Sequence, residues 1–178
     1  MQPSEAISML EPAGWISNTP QTWADLGCGK GIFSLALASL LPPKSNIYSI
    51  DRDADSLQFL PQEYHGVKIE TIQQDFTTLP PLPPLDGIIM ANALHYIRNR
   101  DSFAQVLTPA LKENARLIIV EYDTDTANRW VPFPVNFNAL EKWAGLAGFR
   151  NVRRLKERAS IYQRSKMYSA VMDVGFVK

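Results

Sequence analysis

The stretch Trp23–Phe33, WADLGCGKGIF, constrains the fold more than any other part of the chain. Gly27, Gly29 and Gly31 stand between an apolar run carrying one carboxylate, Asp25, and the helical pattern KGIFSLALASLL. Lacking Cβ atoms, such residues adopt positive φ without strain and let main chain approach a ligand closely. A strand that turns through glycines into a helix also presents unpaired helix N–H groups beyond its carboxyl end. The expectation is a ligand-binding turn on an open α/β sheet, where ligands sit outside the carboxyl ends of the strands.

The rest of the chain repeats the alternation. Strands are expected at Thr22–Leu26, NIYSID, VKIETIQQD, DGIIMAN and ARLIIVEYD. Helices are expected at SEAISMLEPAGW (Ser4 as N-cap, Gly14 as stop), KGIFSLALASLL (ended by Pro42-Pro43), ADSLQFLPQEY (with Pro61 as an early stop), Asp101–Lys112 and NFNALEKWAGLAGF. This pattern is an α/β sandwich around a mainly parallel sheet. Continuous apolar strands such as GIIMA fit burial on both faces. The tail segments RNVRRLKERAS and KMYSAVMDVGF have no helix between them, so they read as an antiparallel hairpin at a sheet edge.

At 178 residues the chain reads as one domain. An N-terminal helical segment (1–20) precedes a ligand-binding half (21–122), then a loop, helix and edge hairpin (123–178). Eighteen basic and eighteen acidic residues leave no overall field to attract nucleic acid or anionic membrane. One cysteine makes no internal disulfide. Neither a secretory leader nor a membrane-spanning apolar run is read, so a soluble cytoplasmic protein is expected.

Two ligand classes use such a glycine turn, dinucleotides and S-adenosylmethionine. The dinucleotide pattern places a third glycine where Ile32 stands. Asp25 would repel a pyrophosphate yet suits a ligand carrying ammonium and sulfonium charges. Asp51 closes the second strand, where a carboxylate accepts from both ribose hydroxyls, a feature common to both classes. Asp75, closing the third, is placed to accept from an adenine amino group, with Phe76 giving backbone or apolar contact. Each carboxylate also has a structural reading: Asp25 orienting the loop, Asp51 capping a helix, Asp75 starting a turn. As a set, spaced after successive strands, they favour ligand binding.

With these residues in place, the chain resembles the class I S-adenosylmethionine-dependent methyltransferases through ADLGCGKG, IYSID, QQDF, DGIIMANALHYI, ARLIIVEYD and AGFRNV, in the family's order. The resemblance implies a Rossmann-like, doubly wound seven-stranded sheet, mostly parallel with a C-terminal antiparallel hairpin. It implies S-adenosylmethionine as cofactor, its methionine part held by Asp25 and the Gly27, Cys28, Gly29, Gly31 loop. It places Asp51 at the ribose, Asp75 and Phe76 at the adenine, and Asn92 near the methionine amino group and the transferred methyl, with Arg52 also among the cofactor-binding residues. Cys28 reads as a small packed residue rather than a nucleophile.

Methyl transfer asks for alignment, desolvation and, with an acidic acceptor, proton removal. No metal-ligand spacing appears, since His65 and His95 lie far apart. His95 is the candidate general base, with packing or cofactor cover as its alternative. Tyr96 either lines the pocket or packs. Glu121 either contacts a polar acceptor, with Asp123, or is structural. Trp130, Phe133 and Phe137, in the long connection DTDTANRWVPFPVNF, either wall a pocket for the acceptor or cover the sheet edge. LPPLPPL reads as a stiff connector. The run Arg150, Arg153, Arg154, Lys156, Arg158, Arg164 and Lys166 reads as edge protection rather than phosphate binding.

The fourth strand ends in ANALHY, not the Asn/Asp-Pro-Pro-aromatic sequence of enzymes that methylate exocyclic amino groups of nucleic acids or protein glutamine. A small-molecule acceptor is therefore expected. The alternatives are an RNA or protein methyltransferase of the same fold, or an inactive cofactor-binding scaffold.

Overall fold

The computed structural model describes residues 1–11, 16–159 and 166–175. Helix α1 (Pro3–Leu10) is followed by β1 (Thr22–Leu26), α2 (Ile32–Leu40), β2 (Asn46–Asp51), the short α3 (Ala54–Leu57), β3 (Glu63–Tyr64) and β4 (Val67–Gln73). Then come β5 (Leu85–Ala91), a 3₁₀ turn at Leu94–Tyr96, α4 (Arg100–Leu107), a second 3₁₀ turn at Thr108–Ala110, β6 (Leu111–Asp123), α5 (Phe137–Leu146), β7 (Phe149–Ala159) and β8 (Lys166–Val174). They form one sheet in the order β3-β4-β2-β1-β5-β6-β8-β7. The pairings among β4, β2, β1, β5 and β6 are parallel, and those of β3, β7 and β8 antiparallel. The fold is the Rossmann-like α/β class, and the closing hairpin lies at the edge with β7 outermost.

Burial along the strands shows why the sheet is covered on both sides. In β5, Ile88 and Met90 join one apolar cluster while Ile89 joins the other. In β6, Leu117 and Ile119 face the first cluster, Ile118 and Val120 the second. This period of two is the strand geometry itself. One cluster receives Phe103 and Leu107 from α4 with Leu140 and Trp143 from α5. The other receives Met9 and Leu10 from α1 with Phe33 and Leu37 from α2. Each fully buried aliphatic side chain contributes about 1.5–3 kcal/mol. No helix among the described residues is long and apolar enough to cross a membrane.

Three expectations are corrected. The sheet has eight strands, not seven, because Glu63–Tyr64 pairs with Val67–Lys68 across the positive-φ pair His65 and Gly66. The helix expected over ADSLQFLPQEY, with Pro61 as its early stop, is shorter still: a single turn, Ala54–Leu57. Gln2, not Ser4, is the N-cap of α1, and its N–H is taken by the Glu5 carboxylate at 2.7 Å. Gly14, expected to stop that helix, and Arg164 of the basic run lie outside the described residues.

Gly87 in β5 is required by close packing. A Cβ there would lie 2.4 Å from the ring of Trp23, which is fully buried. Gly87→Ala is expected to destabilise the domain by about 1–3 kcal/mol through overpacking. Urea unfolding measures this, and a loss below about 0.5 kcal/mol would mean that the Trp23 ring relocates freely.

Candidate active site

β1 passes into α2 through Gly27, Gly29 and Gly31, whose φ angles are 74°, 52° and 77°. A Cβ on Gly27 would approach the Ala93 methyl to 2.9 Å and the Phe76 ring to 3.1 Å, so the corner closes against its neighbours only as glycine. The Gly27 and Cys28 N–H groups donate to Ile50 O at 2.8 and 3.2 Å, binding the turn to the end of β2. Gly29 faces open space: a Cβ there would meet nothing within 4 Å. Gly31 is the N-cap of α2, with Leu60 over it.

The Asp51 carboxylate holds the turn from the side. Oδ2 accepts from Gly29 N–H at 2.8 Å and Oδ1 from Asp53 N–H at 2.9 Å. Asp75 accepts from Thr77 N–H at 2.9 Å, and that bond holds its carboxyl below the usual range. The ring of Phe76 meets Phe103 edge-on at 6.1 Å. Asn92, just past β5, has φ 53° and donates its N–H to Val120 O at 2.8 Å. Together Gly27, Gly29, Asp51, Arg52, Asp75, Phe76, Asn92 and Tyr96 line one cleft of about 460 Å³ at the carboxyl ends of β1, β2, β4 and β5. It straddles the point where strand order reverses beside β1.

Asp25, two residues before Gly27, is almost wholly buried and is not among the residues lining this cleft. Its Oδ2 accepts from the Ser34 hydroxyl at 2.6 Å, and Ser34 Oγ lies 2.9 Å from Ser49 Oγ. Burial pushes the Asp25 carboxyl up to about 7, opposed by the Ser34 hydroxyl and reinforced by the Asp51 charge. Its Oδ1 has no donor, and neither has the buried Oδ1 of Asn92. Two buried acceptors without donors are costly unless a ligand supplies N–H groups. A cationic ammonium meets that need at Asp25 better than any anion. Burial pushes the Cys28 thiol up, with the Asp25 and Asp51 charges adding to it, which disfavours the nucleophilic thiolate.

Other predicted residues lie off the cleft. His95 is 2 % exposed, its Nδ1 2.7 Å from Glu121 Oε2, and its N–H donates to Glu121 Oε1 at 3.0 Å. Glu121 is itself fully buried. Parallel pairing places Ala91 beside Val120, so the turn that follows β5 meets Glu121, which lies within β6 rather than after it. The Phe133 N–H donates to His95 O at 3.0 Å, leaving Phe133 outside the cleft lining. Phe137 packs edge-on against Tyr168 at 5.5 Å, with the Arg154 guanidinium 4.1 Å over its ring. Trp130 is 69 % exposed beside Arg129.

Five cleft residues escaped sequence reasoning: Asp53, Ser56, Thr77, Ala93 and Ile97. All stand within five positions of a predicted one, so treating each post-strand segment as a loop would have found them. Ser34 had a fainter signal, a lone hydroxyl early in the apolar run IFSLALA.

The described geometry has close counterparts. A family model described as a methyltransferase domain matches residues 21–172. An S-adenosylmethionine-dependent methyltransferase from Methanosarcina mazei has a similar structure, with a TM-score of 0.70 at 16 % identity, covering 92 % of this chain and 96 % of that one. The YcgJ protein from Bacillus subtilis superposes with a TM-score of 0.75 at 11 % identity, over 98 % of this chain and 100 % of its own. An arsenic(III) S-adenosylmethionine methyltransferase from Chlamydomonas reinhardtii gives 0.69 at 15 % identity, over 99 % of this chain and 71 % of its own. No curated protein matches the sequence. At these identities the structures establish the fold, and the match over most of the chain establishes the family: the chain belongs to the methyltransferase-domain family and is an S-adenosylmethionine-dependent methyltransferase.

Proposed function

We propose that this chain transfers a methyl group to a small-molecule acceptor. The observation that carries the reading is the fate of its basic run. Arg154 pairs with Asp123 and Glu157, Arg158 with Glu5 at 2.9 Å, and Lys166 with Glu157 at 3.1 Å, while Lys156 bonds Ser8 Oγ. These charges are largely consumed within the fold, on and beside an edge strand, where they serve edge protection better than a phosphate backbone. The longest connection between described elements is 124–136, so no inserted recognition domain interrupts the described sheet. A reducing, cytoplasmic setting accords with the single buried Cys28 thiol.

S-adenosylmethionine, when bound, supplies a methyl group already activated by a positive sulfur. In this reading Asp51 receives the ribose hydroxyls, with Arg52 alongside, and Asp75 and Phe76 hold the adenine. Asp25, Asn92 and the glycine turn hold the methionine part, Asp25 through its unpaired oxygen. Tyr96, half exposed at the cleft rim, faces the acceptor. We assign His95 to holding the Leu94–Tyr96 turn through Glu121 rather than to proton removal. Trp130, Phe133 and Phe137 are assigned to the edge of the fold. Alignment in a desolvated cleft is the chain's main contribution, worth up to about 7–11 kcal/mol in favourable cases.

The Asp25 carboxyl gives a pH signature. Its value is raised on folding from 3.8 to about 7, so its contribution to apoprotein stability is full below the unfolded value. That contribution is lost as pH rises through about 7. A cationic ligand favours the carboxylate, so affinity has the opposite slope below 7, roughly tenfold weaker per pH unit, and it falls again once the ligand's own α-ammonium deprotonates at about pH 8. Calorimetry across this range, with Asp25→Asn as the control lacking the lower slope, checks both signs.

Titration with S-adenosylmethionine and its demethylated product tests cofactor binding, and a metabolite extract with labelled methyl tests the acceptor class. Label recovered in a small metabolite supports the proposal. Label only in RNA or protein, with steeply salt-dependent RNA binding, replaces it. Loss of more than about a hundredfold in turnover for His95→Asn, with the fold intact and an acidic limb removed from the pH profile, would restore His95 as base.

A further inference from the structure

The segment 79–84, LPPLPP, joins the loop after β4 to β5 and lines no part of the cofactor cleft. Each of its six residues is a proline or stands directly before one. A proline ring fixes its own φ, and the residue before it is driven out of the helical region into extended backbone. The hexapeptide is therefore confined to the polyproline II helix, with about three residues per turn. The structure agrees, since the segment runs without turn or bend and burial along it repeats every third residue. Leu79, Leu82 and Leu85 lie on the apolar cluster that also holds Phe103 and Leu107 of α4. Pro81, Pro83 and Pro84 are exposed, and Pro80 is half-buried. Among the described residues, none donates a backbone hydrogen bond to a carbonyl of residues 79–83.

A helix with three residues per turn is a prism with three edges. One edge here, the leucines, is spent on the core, which leaves two edges of proline rings facing outward. No charged residue stands between Asp75 and Asp86, and the Asp86 carboxylate is already taken by Lys112 and by Thr22 N–H, each at 2.8 Å. A nucleic acid or an acidic peptide therefore finds no cation on this strip. An added β-strand finds N–H groups only at Leu79 and Leu82, because proline has none. What the strip offers is flat apolar rings in two Pro–Pro steps and carbonyls that accept from an indole N–H or a phenol O–H. Tryptophan and tyrosine supply both the ring face and that donor. We propose that segment 79–84 docks a protein module with an aromatic-lined proline-binding groove, Pro80–Pro81 and Pro83–Pro84 entering the groove while the leucines stay on the core. The fold holds the strip in its bound shape beforehand, so little ordering entropy opposes docking.

The test uses the full chain and needs neither cofactor nor methyl acceptor, so its outcome and that of the small-molecule reading are independent. The backbone N–H groups of Leu79 and Leu82 report from within the strip, and their resonances are followed by nitrogen–proton NMR. An isolated Src-homology-3 domain and an isolated WW domain are titrated in separate arms. Each is paired with a variant of that domain in which the groove tryptophan is replaced by alanine. Expected is a saturable displacement of both leucine resonances by one domain or by both, and none by the groove variants, which decide the matter without altering this chain. Pro81→Ala with Pro84→Ala should weaken the response at least about tenfold, while S-adenosylmethionine binding and resonances elsewhere stay in place. A response to neither domain, an equal response to the groove variants, or one unchanged in the double proline variant overturns the proposal.

Discussion

Asp51→Ala is expected to raise the dissociation constant for S-adenosylmethionine at least about a hundredfold, close to 2.8 kcal/mol. The size follows from two losses at one position. In the proposed mode the carboxylate accepts both ribose hydroxyls, and charge-assisted bonds contribute roughly 1.5–3 kcal/mol each. The same carboxylate holds Gly29 N–H and Asp53 N–H, so its removal also frees the turn on which the methionine part would rest. Asp51→Asn keeps an acceptor without the charge and should fall between, near tenfold. Calorimetric titration decides. An Asp51→Ala protein with native circular dichroism and less than about a threefold loss would remove the ribose role from this residue.

Glu121→Ala should cost the domain about 3–5 kcal/mol of stability, lowering its melting temperature by roughly 10 °C. Glu121 is fully buried, and its two oxygens serve the N–H and the imidazole of one residue, His95. Truncation leaves a backbone donor and a ring nitrogen without partners in a site closed to water. The Arg100 guanidinium is nearby, and loss of the carboxylate charge removes a favourable partner for it as well. Glu121→Gln retains one acceptor oxygen and should lose less, about half as much. Because the Leu94–Tyr96 turn carries Tyr96 into the cleft wall, Glu121→Ala should also weaken cofactor binding. Urea unfolding checks the first claim. A loss under about 1 kcal/mol would show that the pair is easily replaced by water.

These two carboxylates differ in how far the sequence exposed their roles. Asp51 ends an apolar strand, and a carboxylate after a strand in an alternating α/β pattern is readable as a ligand residue without coordinates. Asp75 was legible in the same way and Asn92 through the family resemblance, and the structure gathers them with Asp51 around one cleft. Glu121 stands two residues before the end of β6, and it turns inward because β6 is placed beside β5, where it meets the turn after Asn92. Trp130, Phe133 and Phe137 looked alike as aromatic residues in one long connection. Contacts with Arg129, His95 and Tyr168, respectively, distribute them to different surroundings.

The sequence by itself determined what short-range physics controls. Period-two burial in the strands, the glycine turn and the proline-bounded connections follow from steric and burial preferences acting within a few residues. These were sufficient for the fold class and for the ring of post-strand residues. Tertiary structure alone decided the long-range partners: Ser34 under Asp25, and Glu121 on His95. Such pairings depend on strand order and helix packing, which bring together residues 9 and 26 positions apart whose local sequences contain no record of each other.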